Sequence, residues 1–187
     1  MKNFTLLLFI SFFTLTFAQD KKCTYLQFDI AIPLKGNQNR GDENYNTNNN
    51  DSWFLPDGLS AKLGYGFHYN KYISLGIQTG IDWKGTEKLV VVPVLANVRV
   101  SPKIGEETRL YLQAGYGKSF AIGRGNLSGE YKKVSLGIEN ADGVSLFIEF
   151  AQHGFTLHQI ENLNMLSVGI SCILFEAKTI APNPASE

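Results

Sequence analysis

A period of two constrains this chain more than any other feature. Between residues 24 and 175, apolar and polar side chains alternate in about eight segments, the spacing of a β-strand rather than the 3.6 of a helix. In the first, Leu26, Phe28, Ile30, Ile32 and Leu34 are separated by Tyr25, Gln27, Asp29, Ala31 and Pro33. The second, Leu59 to Tyr69, sets Leu59, Ala61, Leu63, Tyr65, Phe67 and Tyr69 against Ser60, Lys62, Gly64, Gly66 and His68. Asn70-Lys71 then turns the chain into the third, where Ile73, Leu75, Ile77, Thr79, Ile81 and Trp83 oppose Ser74, Gly76, Gln78, Gly80 and Asp82. The second and third segments predict an antiparallel hairpin.

The fourth segment, Leu89 to Val100, contains Pro93, which has no backbone N–H and predicts a bulge or an unpaired ladder position. A polar connection over 101–108 leads to the fifth, in which Leu110, Leu112, Ala114 and Tyr116 alternate with Tyr111, Gln113, Gly115 and Gly117. The sixth runs from Tyr131 to Asn140, and Asn140-Ala141-Asp142-Gly143 supplies the next turn. Leu146 to His153 and Leu166 to Leu174 complete an even eight, which predicts an all-β, up-and-down antiparallel barrel.

Alternation does not say which face is inside. A soluble lipocalin-like barrel buries its apolar face, whereas a membrane barrel turns it to lipid. The glycines distinguish the two: Gly64, Gly66, Gly76, Gly80, Gly115, Gly117, Gly137 and Gly169 all lie on the polar face. Glycine weakens a strand unless crowding excludes a side chain, and a narrow lumen is such a crowd. Charges on that face are few, namely Asp29, Lys62, Asp82, Arg99, Lys133, Glu139 and Glu149, which is too sparse for a water-facing exterior. The reading is a transmembrane barrel whose lumen is plugged by these charges in mutual neutralisation. Tyr65, Phe67, Tyr69, Trp83 and Phe120 then fall on the lipid face as aromatic girdles. Long and short connections alternate: the segment 35–57 is long, while 70–71 and 140–143 are tight. This places the N-terminal end of the barrel in the periplasm.

The start of the chain reads as a cleaved signal peptide over 1–18, with Lys2 before an apolar stretch that reaches Phe17 and Ala18. A lipid anchor on Cys23 is disfavoured because Gln19-Asp20-Lys21-Lys22 precedes it in place of a small apolar motif. The barrel domain is expected over 19–176, followed by a short, disordered tail over 177–187. Cys23 and Cys172 belong to strands that barrel closure brings together, but parity puts Cys23 on the polar face and Cys172 on the apolar one; a disulfide would need a bulge. Lys plus Arg equals Asp plus Glu at 17 each, so no global field draws the chain to nucleic acid.

With these residues in place, the chain resembles the small eight-stranded outer-membrane β-barrel family of the OmpA and OmpX type, in its porin-like version. The resemblance covers about 24–175. It is carried by Gly-rich strands such as Leu112-Gln113-Ala114-Gly115-Tyr116-Gly117, by the Pro-bearing strand Val92-Pro93-Val94-Leu95-Ala96-Asn97-Val98-Arg99, and by the closing strand Leu166-Ser167-Val168-Gly169-Ile170-Ser171. It implies residence in the outer membrane, contact with outer-membrane lipid, and recognition of the closing strand by the barrel-assembly machinery. The family usually ends on a lipid-facing aromatic residue. Here Phe175 lies one place out of that register, and a tail follows.

Chemistry is thinner. His68, His153 and His158 are the only histidines, and none has metal-ligand spacing with another or with the cysteines. Small barrels also serve as lipid-modifying enzymes, so His153 or His158 with Ser145 and Glu149 is the hydrolase constellation to test. No local His-x-Ser arrangement supports it, and the expectation is no enzyme, no cofactor and no metal. Eight strands leave room for side chains rather than an open pore, with a narrow porin-like channel as the alternative. The Asn-rich loop 35–57, which contains Arg40-Gly41-Asp42, Trp53 and Phe54, is the candidate surface for an extracellular ligand. The expected role is structural or surface interaction in the envelope.

Overall fold

The computed structural model describes residues 23–37, 40, 52–122, 127–155 and 163–175. The proposed signal peptide, the tail 177–187, most of the loop 35–57 and His158 lie outside the described residues. The described chain is made of strands: β1 (Thr24–Gly36), β2 (Phe54–Pro56), β3 (Gly58–Tyr69), β4 (Ile73–Lys84), β5 (Leu89–Val100), β6 (Thr108–Ile122), β7 (Ser128–Asn140), β8 (Val144–Gly154) and β9 (Leu163–Phe175). Each pairs antiparallel with its neighbour, and β9 pairs with β1 from Tyr25↔Phe175 to Leu34↔Leu166, which closes the barrel.

Nine strands make eight staves, because β2 continues β3 against the upper part of β1. Between the pairs Ala31↔Ser60 and Leu34↔Pro56, the second stave carries one more residue than β1, a bulge at Asp57 and Gly58. Gly58 sits at φ 152°, and a β-carbon there would collide with the Trp83 carbonyl. Glycine is the residue that both the dihedral and the close approach require.

Ladder partners followed sideways from Leu26 through Tyr65, Ile77, Ala96, Tyr116, Lys132, Gln152 and Asn164 lead back to β1 at residue 36, ten residues on from the start. Eight staves with that stagger tilt by roughly 40° to the barrel axis and leave a bore that side chains can fill.

Two connections depart from the expected alternation of long and short. Gly85 to Lys88 joins β4 to β5 in four residues at the end that holds the loop after β1, and 101–107 takes seven residues at the opposite end. The first is short because Asp57, at the bulge, accepts hydrogen bonds from the Thr86 backbone N–H (2.9 Å) and hydroxyl (2.6 Å), and Lys88 turns the chain at φ 49°. The end carrying 37–53, 85–88 and 123–127 is called the loop end below, and the other the turn end. At Pro93 the β4–β5 ladder loses the positions opposite Gly80 and Ile81 without a change of register, and the Thr79 hydroxyl bonds the Pro93 carbonyl at 2.9 Å. Proline therefore leaves an unpaired ladder position rather than a bulge.

Parity along each strand fixes the faces. Leu26, Phe28, Ile30 and Ile32 are exposed on the outer wall, and Tyr25, Gln27, Asp29 and Ala31 are buried in the bore. Cys172 pairs with Phe28, well away from Cys23, and both thiols are free.

Candidate functional site: a filled and capped lumen

The bore is filled in three tiers. Nearest the loop end, Leu89, Val91, Phe155 and Leu163 point inward and pack with Ala121 and Leu127 into an apolar plug. These positions share the parity of the polar face, so at their loop ends β5 and β9 carry apolar residues inward.

Below the plug, a second apolar cluster of Leu95, Tyr131, Ala151 and Met165 adjoins a charge cluster. Lys62 lies 2.5 Å from Glu149 and 3.3 Å from Asp82; Lys133 lies 2.9 Å from Glu149 and 3.8 Å from Asp29. Neutral donors add to the same carboxylates. Ser60 donates to Asp82 at 2.5 Å, Ser135 to Glu149 at 3.1 Å, Gln78 to Asp29 at 2.6 Å, and Gln27 to both Asp29 and Gln113. Carboxylates and ammoniums in a confined bore are costly unless each has such partners. His153, fully buried, stands 3.7 Å from Asp82 and packs tilted against the Tyr131 ring at 4.8 Å.

The third tier is at the turn end. Arg99 pairs with Glu139, donates to the Ser101 hydroxyl at 3.1 Å and lies 3.5 Å over the Tyr111 ring. Tyr25 donates to Asn97 at 3.2 Å. Phe175, out of the outward register, packs its ring against His68 at 4.7 Å.

Of the seven charged residues singled out from the sequence, the structure gathers Asp29, Lys62, Asp82, Lys133 and Glu149 into one network and sets Arg99 and Glu139 apart as a second. Sequence reasoning left out Lys84, which is also buried on the inward face and pairs with Glu87 at 3.7 Å, and the packing role of Tyr131. The parity that found the other seven would have found both. Tyr65, Phe67, Tyr69, Trp83 and Phe120 are all exposed on the outer wall: Phe67 and Tyr69 near the turn end, Trp83 and Phe120 near the loop end, Tyr65 further in.

The hydrolase constellation is not assembled around His153, and His158 lies outside the described residues. Ser145 and His153 share a face of β8 eight residues apart, about 26 Å along a strand. Ser145 donates to the Ser171 carbonyl, and Glu149 is engaged by two lysines. Among the described residues no group of three or more His, Cys, Asp or Glu is placed to hold a metal ion. A cavity of about 120 Å³ lies at the turn end, bordered by Lys71, Lys103, Glu106, Glu107, Arg109, Glu139 and Phe175, so it reaches the third tier.

The apolar plug makes a specific expectation. Truncating it with Phe155→Ala and Leu163→Ala opens the dry layer at the loop end and lets water reach the tiers below. In planar lipid bilayers the parent barrel should show no sustained conductance and the double variant frequent brief openings; equal quiet in both would mean the charge tiers alone seal the bore.

No protein-family model and no curated protein matches this chain. Among solved structures it is similar to the crystal structure of Neisserial surface protein A, at 14% identity and a TM-score of 0.54, with 80% of this chain and 96% of that one covered. It is also similar to the crystal structure of the outer membrane enzyme PagL, at 11% identity and a TM-score of 0.50, with 78% and 98% covered. A surface protein and an enzyme sharing one architecture show that the likeness speaks for fold and not for role. The chain has the closed, eight-stranded antiparallel fold of the small outer-membrane barrels.

Proposed function

We propose that this chain is an outer-membrane barrel with a structural or surface-interaction role, exported through its signal peptide and inserted by the barrel-assembly machinery. The observation that carries this reading is inverted polarity. Ile77 (65% exposed), Leu146 (68%) and Phe28 (46%) stand on the outside, while Lys62, Arg99, Asp82 and Glu149 are at most 2% exposed inside. In water that arrangement would expose a continuous apolar wall and bury charge, the reverse of what the hydrophobic effect rewards. In a bilayer every outward group meets hydrocarbon, and closure satisfies the backbone. Trp83, Phe120, Phe67, Tyr69 and Tyr65 then act as interfacial girdles.

Filled tiers and an apolar plug favour a wall or a display platform over the alternative of a porin-like channel. The loop 35–57 is the surface offered to an extracellular ligand. Its base is organised: Asn37 donates to the Ser52 carbonyl at 3.0 Å, and the Arg40 guanidinium lies 3.5 Å over the Trp53 ring.

A single substitution tests the membrane reading. Ile77 faces outward near mid-height of β4, so Ile77→Arg should cost about 2–4 kcal/mol in lipid. The same change on a water-exposed surface should fall within about 0.5 kcal/mol. Urea unfolding in phospholipid vesicles, with fractionation of expressing cells, distinguishes the two. A soluble protein indifferent to Ile77→Arg would revive a lipocalin-like binder.

A further inference from the structure

Over most of the outer wall, outward side chains stay apolar from one end of a stave to the other. On β5 they are Val90, Val92, Val94, Ala96, Val98 and Val100. One region differs. Lys118 on β6, Glu130 and Lys132 on β7, Gln152 on β8 and Asn164 on β9 all point outward, and the ladder makes them neighbours: Lys118 faces Glu130, Lys132 faces Gln152, and Gln152 faces Asn164.

The tilt of the staves brings this group to one level. Each sideways step rises roughly 3 Å and each residue along a strand roughly 2.5 Å, so the five side chains fall within a band of about 6 Å near the height of Trp83. Phe120 and Ile122 still point outward beyond Lys118 on the same strand, at 45% and 57% exposure. The band is therefore the border of the apolar wall and not a stretch already clear of it.

Within the band one charge stands alone. Glu130 is held by Lys132 at 3.0 Å and accepts from the Tyr116 hydroxyl. Gln152 donates to Asn164 at 3.1 Å. Lys118, directly across the ladder from Glu130, has no ion-pair partner among the described residues. An ammonium at the edge of hydrocarbon calls for an external anion.

Resting on the membrane reading above, we propose that this band seats the phosphate of an outer-leaflet phosphoglycolipid. Lys118 is the primary cation and Lys132 the second; the Gln152 and Asn164 amides serve the sugar hydroxyls. Val134, Phe150 and Leu166, next along the wall toward the turn end, receive the acyl chains. Lysine binds phosphate as a point charge, and paired amides with apolar surface directly beneath suit a lipid-borne sugar phosphate better than a free ion.

The test uses the full barrel refolded in detergent and offered bisphosphorylated lipid A or its dephosphorylated form, with bound lipid counted by native mass spectrometry. The parent should retain the phosphorylated lipid at least tenfold better. Lys118→Gln with Lys132→Gln should lose that preference, Lys118→Arg should keep it, and Lys71→Gln with Lys103→Gln at the turn end should leave it unchanged. Equal retention of both lipids, a double variant that binds like the parent, or displacement by millimolar inorganic phosphate would overturn the proposal. Resistance to detergent until heated, read on each sample, keeps this result separate: a parent without it refutes the membrane reading itself, and Lys118→Gln alone supplies the comparison if the double variant does not fold.

Discussion

Glu149→Gln is expected to destabilise the barrel by about 3–5 kcal/mol, the cost of breaking a buried ion pair from one side. Among the described residues Glu149 is the only carboxylate shared by two lysines: it lies 2.5 Å from Lys62 and 2.9 Å from Lys133. Without it, Lys62 keeps Asp82 at 3.3 Å, but Lys133 keeps only Asp29 at 3.8 Å, itself already bonded by Gln27 and Gln78. A buried ammonium is then left short of counter-charge. Adding Lys133→Met should recover a large part of the loss, because the pair is coupled rather than additive. Glu87→Gln, which breaks the more exposed pair with Lys84, should cost less than about 1 kcal/mol. Urea unfolding in vesicles, followed by fluorescence of the two tryptophans, measures all three variants. Equal effects at Glu149 and Glu87 would mean that water in the bore solvates the charge cluster.

Gly66→Val should have an effect of similar size and sharply lower the yield of native barrel. Gly66 and Gly76 are ladder partners, and a β-carbon on Gly66 would collide with the Leu75 carbonyl and the Gly76 backbone. Relief by movement is blocked from the other side, since the space beside Gly76 is taken by the Tyr25 hydroxyl, whose ring is buried in the bore and bonded to Asn97. Overpacking against side chains typically costs 1–3 kcal/mol, and against paired backbone the cost should be about 3 kcal/mol or more. Leu63→Val, three residues away and facing outward, should cost less than about 1.5 kcal/mol. The fraction of protein that resists detergent until heated reports both. A Gly66→Val barrel that folds in undiminished yield would mean the two glycines are not in the contact described.

Which residues point inward was legible because the pleat ties parity to face, so Asp29 and Lys62 are marked as bore residues without any tertiary knowledge. Who pairs with whom was not. Lys62 and Glu149 are 87 positions apart and meet only across the bore, at heights set by the stagger of the whole barrel. For the same reason Arg99 and Glu139 were grouped with charges from which the structure separates them. Phe175 was legible as out of register, and its ring indeed faces inward against His68. The plug escaped notice because its members come from three strand ends and two connections, and each strand member looks locally like an exception on a polar face. The bulge at Asp57 and Gly58 was hidden as well: its logic is the bond that Asp57 accepts from Thr86, which only the fold creates.

The most direct test of the account is the gel mobility of the membrane-fraction protein in detergent, boiled against unboiled. A closed barrel with a filled bore has no free strand edge at which detergent can start unfolding, so the unboiled sample should migrate differently from the boiled one. Identical mobility, with the protein recovered in the soluble fraction, would contradict a lipid-embedded barrel and would require the apolar wall to be covered by something other than membrane.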